Sequence, residues 1–276
     1  MGGWSSPKDL PPSTSTISTT DPTKTTFKYP WPFPSKRSLI YEWKSKLTIS
    51  LVYLTSKIAF QVMNKLTVEN KETFMKAIED RSRPLITVSN HRCNADDPLI
   101  WSMFTFPEFF RNISRFRYIL AAHNICFTNP LYTTMFSLGR CIPCVRGEGI
   151  FQRGVNECID VLSRNEWVHV FPEGKVTPEP IRIKWGVSRM ITEAARPPVL
   201  LPIWLDGMAD VLSSTKPYYL TYGNHVRIIV GKPYDTSLLR NEVAPLPEIQ
   251  QRTQIANFVQ DYLFTLGKQT AKNLKT

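Results

Sequence analysis

The chain has 276 residues, 42% of them apolar and 12% aromatic, and a formal net charge of +11. That length suits one sizeable α/β domain with appendages, and the apolar share is ample for a core. The charge selects anionic partners. With no zinc-finger spacing, no aromatic RNA-binding signature and no dense Lys/Arg block, nucleic acid is disfavoured. Basic residues scattered beside Trp, Tyr and Leu suit an anionic phospholipid membrane surface.

Residues 1–38 are rich in Pro, Ser and Thr, and too poor in apolar residues to pack. They are expected to be disordered, with a short extended stretch at the end. They lack an apolar signal core, and "MGGWSS" fits the pattern for N-myristoylation. Residues 39–66 read as one helix with Leu47, Leu51, Leu54 and Ile58 on a stripe, widened by Ile49, Val52 and Phe60. Lys57 interrupts the apolar run, so a simple membrane span is not expected. Lys44, Lys46 and Lys65 surround the helix, and Tyr41 and Trp43 sit near one end. The pattern suits an interfacial membrane helix, with a core helix packed on the domain as the alternative.

Residues 67–270 form the expected catalytic domain. From residue 84 strands and helices alternate. "PLITVS", "YILAA", "CIPCV", "WVHVF", "VLLPIWL" and "VRIIVG" read as strands. Asp97 is expected to cap a helix with Pro98 at its first position, and Asn129 and Gly139 to bound another. Helices are also expected over 150–164, roughly 184–195, and from Pro247 to about Leu266. This alternation predicts an α/β fold, a mixed and largely parallel sheet flanked by helices. The five cysteines suggest no disulfide framework, and Cys141 and Cys144 read as small core residues of a strand.

His91 and Asp96, in "SNHRCNADDP", fall in the loop between a strand and a helix, at the sheet edge where α/β proteins place active sites. A carboxylate accepting from one imidazole nitrogen raises the basicity of the other, which makes a general base. The bland alternative is a capping aspartate beside a loop histidine. A second strand ends in Phe171 and Pro172, with Glu173, Gly174 and Lys175 in the following turn. Arg146 and Gly147 follow a third strand, where an Arg fork and open backbone amides suit a phosphate. His123, His169 and His225 read as core or strand-edge residues, and Trp185 and Arg189 as packing and surface groups.

In order and spacing, NHxxxxD at 90–96, Arg-Gly at 146–147, FPEG at 171–174 and the Pro-containing strand at 199–203 resemble the four motif blocks of the glycerophospholipid acyltransferases. Within that superfamily, "WPFP", "LTVEN", "ICFT", "FSLGRCIPCVRGEGIFQRG", "WVHVFPEGKV", "KWGVSRMITEA" and "LPIWLDGMADVL" resemble the tafazzin family, across about residues 30–235. One departure from the ordinary superfamily pattern, Lys175-Val176 after FPEG, is shared with that family.

The resemblance implies a coenzyme A-independent phospholipid–lysophospholipid transacylase that needs no cofactor or metal. It would move an acyl chain from a phospholipid such as phosphatidylcholine to monolysocardiolipin. His91 and Asp96 would be catalytic, and Arg146, Gly147, Phe171, Pro172, Glu173, Gly174 and Lys175 substrate-binding. Cardiolipin and lysophospholipids would be the lipid partners, and attachment would be to mitochondrial membranes on the intermembrane-space side. Self-association stays open. An acyl-CoA-dependent acyltransferase and a non-catalytic membrane-surface protein are the alternatives. A covalent acyl-serine lacks its G-x-S-x-G elbow, and Cys93 as a nucleophile is disfavoured.

Overall fold

The computed structural model describes residues 27, 29–34, 36–212 and 219–273. The expectations for residues 1–26, myristoylation included, lie outside the described residues. Eight strands form one sheet: β1 (Lys65–Glu69), β2 (Leu85–Ser89), β3 (Tyr118–Ala122), β4 (Cys141–Cys144), β5 (Trp167–Val170), β6 (Val199–Asp206), β7 (His225–Val230) and β8 (Tyr234–Asp235). Their order is β1-β7-β6-β2-β5-β3-β4, with β8 also on β6. The block from β6 to β4 is parallel, and β7 and β8 run antiparallel to β6. The expected mixed, largely parallel sheet is therefore present.

The helices are α1 (Leu39–Lys57), α2 (Lys71–Glu79), α3 (Asp96–Ser102), α4 (Phe106–Asn112), α5 (His123–Cys126), α6 (Pro130–Leu138), α7 (Arg153–Ser163), α8 (Gly186–Glu193), α9 (Thr236–Val243) and α10 (Glu248–Asn273). They cover both faces of the sheet. On one face Ile86, Val88, Val168 and Val170 meet α7, α8, α9 and α10. On the other, Leu85 and Trp167 meet α1, α2, α3 and α4. β2 is buried at every position, as a central parallel strand must be when both its faces are covered.

Two expectations are corrected. The helix of residues 39–66 ends early: α1 stops at Lys57, a π-turn covers Ile58–Val62, and Lys65 already begins β1. Asn64 drives the change. Its side chain donates to Ala59 O at 2.8 Å and accepts from the Asn224 N–H at 3.0 Å, so the chain turns onto β7. The faces of α1 also divide differently. Ser45, Ile49, Tyr53 and Ser56, with Phe60 beyond, are buried against the domain. Leu47, Leu51, Leu54 and Ile58 point outward, 42–56% exposed.

Asp97 is the second correction. The residue before α3 is Ala95, and no side chain caps the helix. Asp97 instead accepts from Arg117 Nε at 2.7 Å and also from its Nη2. Arg117 is buried and lies under Trp101, so an unpaired guanidinium there would be costly. That ion pair outweighs a cap. Asn129 does cap α6, accepting from the Tyr132 N–H at 2.9 Å, and Gly139 ends it.

Lys57 explains its own place in an apolar stripe. Its ammonium turns inward and donates to Phe104 O at 2.5 Å and Ser102 O at 3.4 Å, at the C-terminal end of α3. A cation there answers the unpaired carbonyls of the helix end. None of the described helices is long and apolar enough to cross a membrane.

Candidate active site

The C-terminal edge of the parallel block collects the residues singled out in the sequence. β2 runs into the His91 loop, β5 into Phe171–Lys175, and β4 into Arg146 and Gly147. His91 Nδ1 and Asp96 Oδ2 are 2.9 Å apart. Asp96 is fully buried. The same Oδ2 accepts from the backbone N–H of Arg92 at 2.6 Å and of Cys93 at 2.9 Å. The loop thus folds around the carboxylate. An ionised Asp96 fixes His91 as the Nδ1–H tautomer and leaves the Nε2 lone pair free to accept a proton. The His91 ring stacks on Phe171, with centroids 4.1 Å apart and planes 13° from parallel. Phe171 is therefore a platform for the imidazole, and one line of chain from β5 sets its tilt.

Glu173, expected at the substrate site, is turned inward. It is fully buried, and its carboxylate faces the His91 loop. Oε2 accepts from the His91 N–H at 3.1 Å, and Arg92 Nη1 donates to both oxygens at 3.1 and 2.8 Å. Through these donors the buried carboxylate ties the two loops together. Arg92 Nη1 also reaches Thr177 O at 3.2 Å, and the Thr177 N–H donates to His91 O at 3.0 Å. Pro172 is buried, and its carbonyl accepts from the Lys184 N–H at 2.7 Å. Gly174 closes the turn at φ +75°, a left-handed conformation that glycine adopts without strain.

Arg146, Gly147 and Lys175 are exposed on the same edge. Arg146 and Lys175 bring two exposed cations to that edge. Arg92 and Thr177 were not singled out by sequence reasoning. Arg92 offered a signal, a charged residue beside His91 in a strand-end loop; Thr177 offered none.

Beneath the site lies a polar layer. His169 is buried, with Nδ1 2.7 Å from Thr87 Oγ1 and Nε2 3.2 Å from Ser89 Oγ. Trp167 Nε1 donates to Thr87 Oγ1 at 2.8 Å. Burial holds the His169 pKa well below the usual imidazole value, helped by the nearby Arg117 guanidinium. Burial likewise pushes the Cys93 thiol up to about 11, far from a thiolate at neutral pH.

The model of the family described as Acyltransferase matches residues 65–206, from β1 to the end of β6. A solved structure, the 1-acyl-sn-glycerophosphate acyltransferase PlsC of Thermotoga maritima, shares the fold. Its TM-score is 0.58 at 17% identity, over 84% of this chain and 81% of that one. The class is thus an acyltransferase fold with the paired His91 and Asp96 at its open edge.

Among curated relatives, the Tafazzin of Drosophila melanogaster is 38% identical over 250 residues, 88% of this chain and 66% of that protein. The N-acylphosphatidylethanolamine synthase of Arabidopsis thaliana is 34% identical, over 73% of this chain and 78% of its own length. The Taffazin of Dictyostelium discoideum is 36% identical over 69% of each. The chain belongs to the acyltransferase family and, within it, to the tafazzins. It spans a little under two thirds of the length of the fly relative.

Proposed function

We propose that this protein is a coenzyme A-independent phospholipid–lysophospholipid transacylase that acylates monolysocardiolipin from a phospholipid such as phosphatidylcholine. The observation that carries the reading is the 2.9 Å pair of His91 Nδ1 and Asp96 Oδ2 at the open edge of an acyltransferase fold. His91 Nε2 takes the proton of the acceptor hydroxyl, and that oxygen attacks the carbonyl carbon of the donor ester. The tetrahedral intermediate collapses with loss of the donor glycerol oxygen, which takes the proton back from His91. The products are a new ester and a new lysophospholipid, so the reaction is reversible and consumes no cofactor. General-base help of this kind contributes about 10²–10⁴ in rate.

Arg146 and Lys175, with the flexible backbone at Gly147, receive the headgroup phosphate of the acceptor. The outward stripe of α1 lies in the lipid interface, flanked by Lys44 and Lys46 for the anionic headgroups. Tyr41 and Trp43 suit the headgroup level. The membrane is that of mitochondria, on the intermembrane-space side, in keeping with the tafazzin relatives.

Similarity to an N-acylphosphatidylethanolamine synthase favours a second acceptor, a headgroup amine, for the same site. The test gives purified protein liposomes of acyl-labelled phosphatidylcholine with monolysocardiolipin, lysophosphatidylcholine or phosphatidylethanolamine, with and without coenzyme A. Label in cardiolipin without coenzyme A is the expected result. Label only in the amide product would replace the hydroxyl acceptor by the amine. Transfer only when acyl-CoA is supplied would make the enzyme an ordinary acyltransferase.

A further inference from the structure

Gly267 lies inside α10, where glycine disfavours the helix relative to alanine. Space accounts for it. A Cβ at this position would stand 2.6 Å from Cη2 and Cζ2 of Trp204, and 2.7 Å from Cε2. The indole of Trp204 therefore rests directly on the backbone of the C-terminal helix. Phe264, one turn earlier, meets the same ring edge-on with centroids 6.3 Å apart. Trp204 is thus held against α10 by a rigid ring contact and not by a flexible chain end.

The same indole reaches the active site. The Arg92 guanidinium carbon is 5.9 Å from the centre of the Trp204 ring, within cation–π range. Arg92 Nη2 is buried and has no hydrogen-bond partner, so the aromatic contact matters to where the guanidinium sits. The next residue of β6 holds the other side of the loop. Asn90 Nδ2 donates to Leu205 O and the Leu205 N–H donates to Asn90 Oδ1, both at 2.8 Å. Residues 90 and 92, on either side of His91, are thus anchored to Leu205 and Trp204 respectively.

We propose that Trp204 is a positioning residue for His91: seated on Gly267, it fixes the Arg92 guanidinium where it grips Glu173, which in turn accepts from the His91 N–H. Trp204 touches no reacting atom in this account. The C-terminal helix, remote from the site in sequence, thereby sets the orientation of the imidazole. The kinetic side of this proposal rests on the transacylase reading; the structural side does not.

The test compares wild-type protein with Gly267→Ala, Arg92→Gln and the double variant. Three quantities are read: the His91 imidazole ¹⁵N signals without substrate, kcat and KM for acyl transfer, and the melting temperature. Gly267→Ala is expected to move the His91 signals and lower kcat about ten-fold, with KM for the acceptor within two-fold. The double variant is expected to fall no further than Arg92→Gln alone, because both act through one guanidinium. Unmoved His91 signals in folded Gly267→Ala protein, or losses that multiply in the double variant, would overturn the proposal. If Gly267→Ala does not fold, Trp204→Phe takes its place under the same criteria. A wild-type protein with no transfer to any acceptor would remove the transacylase reading, while the imidazole signals would still decide the positioning role.

Discussion

Arg92 Nη1 bridges both carboxylate oxygens of Glu173, at 3.1 and 2.8 Å, and so joins the loop after β2 to the loop after β5. Glu173 is fully buried and the Arg92 side chain is 12% exposed. Removing one charge of such a pair leaves the other uncompensated, at a cost of about 3 kcal/mol or more. Glu173→Gln is therefore expected to lower the stability by that order, read by chemical denaturation. It should also lower kcat more than it raises KM, because the His91 loop loosens. A loss confined to KM would return Glu173 to a substrate-binding role.

On α1 the Lys57 ammonium turns inward while Leu51 faces outward, and the two should behave differently. Lys57→Met removes the donor to Phe104 O and Ser102 O, and is expected to cost roughly 1–2 kcal/mol of stability. Vesicle binding should stay unchanged, since the ammonium faces inward. Leu51→Asp is expected to weaken binding to anionic vesicles in a co-flotation assay while leaving the melting temperature within a few degrees. Equal vesicle binding by Leu51→Asp and wild type would remove the outward stripe from the lipid interface.

Cys93 is two residues from His91, but its thiol is buried and its pKa raised to about 11. Direct transfer needs no thiolate. Cys93→Ala is expected to keep kcat within about two-fold in the liposome assay, with only the small stability loss of a minor core cavity. Abolished turnover in a folded variant would force a covalent intermediate on the mechanism.

His169 couples stability to pH. Its pKa in the folded protein is well below the unfolded value of about 6.5. Between those two values the unfolded chain binds a proton that the folded one does not. Stability is thus intact above about pH 6.5 and declines as the pH falls below it, by at most about 1.4 kcal/mol per pH unit for this one group. The melting temperature of the wild type should drop from pH 7 to pH 5, and His169→Asn should show a shallower drop. Parallel curves for the two proteins would show that other groups carry the dependence.

Much of this was legible in the chain. The strand ends near Ser89 and Phe171 could be read from β-branched and aromatic runs broken by polar residues or proline, and these place His91 and Glu173 on one edge. What the sequence could not show was which way Glu173 faces. Its partner Arg92 is 81 residues away, and a buried carboxylate looks like an exposed one until the fold brings the cation to it. The short strand β1 was hidden because its five residues follow a long helical pattern, and Asn64, which ends that pattern, pairs with Asn224, 160 residues on. The stripe of α1 was visible, but that Ile49 and Phe60 turn away from it into the core was not. Apolar residues lie on both sides of that helix, and only packing separates Ile49 and Tyr53 from Leu47 and Leu51. The helices α2, α4 and α9 are seven to nine residues long, too short for their periodicity to stand out.

The measurement that bears most directly on the account is acyl transfer from labelled phosphatidylcholine to monolysocardiolipin in liposomes, without coenzyme A, by wild type and His91→Ala. The account predicts label in cardiolipin with wild type, and a rate lower by about 10²–10⁴ with a folded His91→Ala protein. Equal rates for the two proteins would contradict it, because the pair of His91 and Asp96 would then have no part in the reaction.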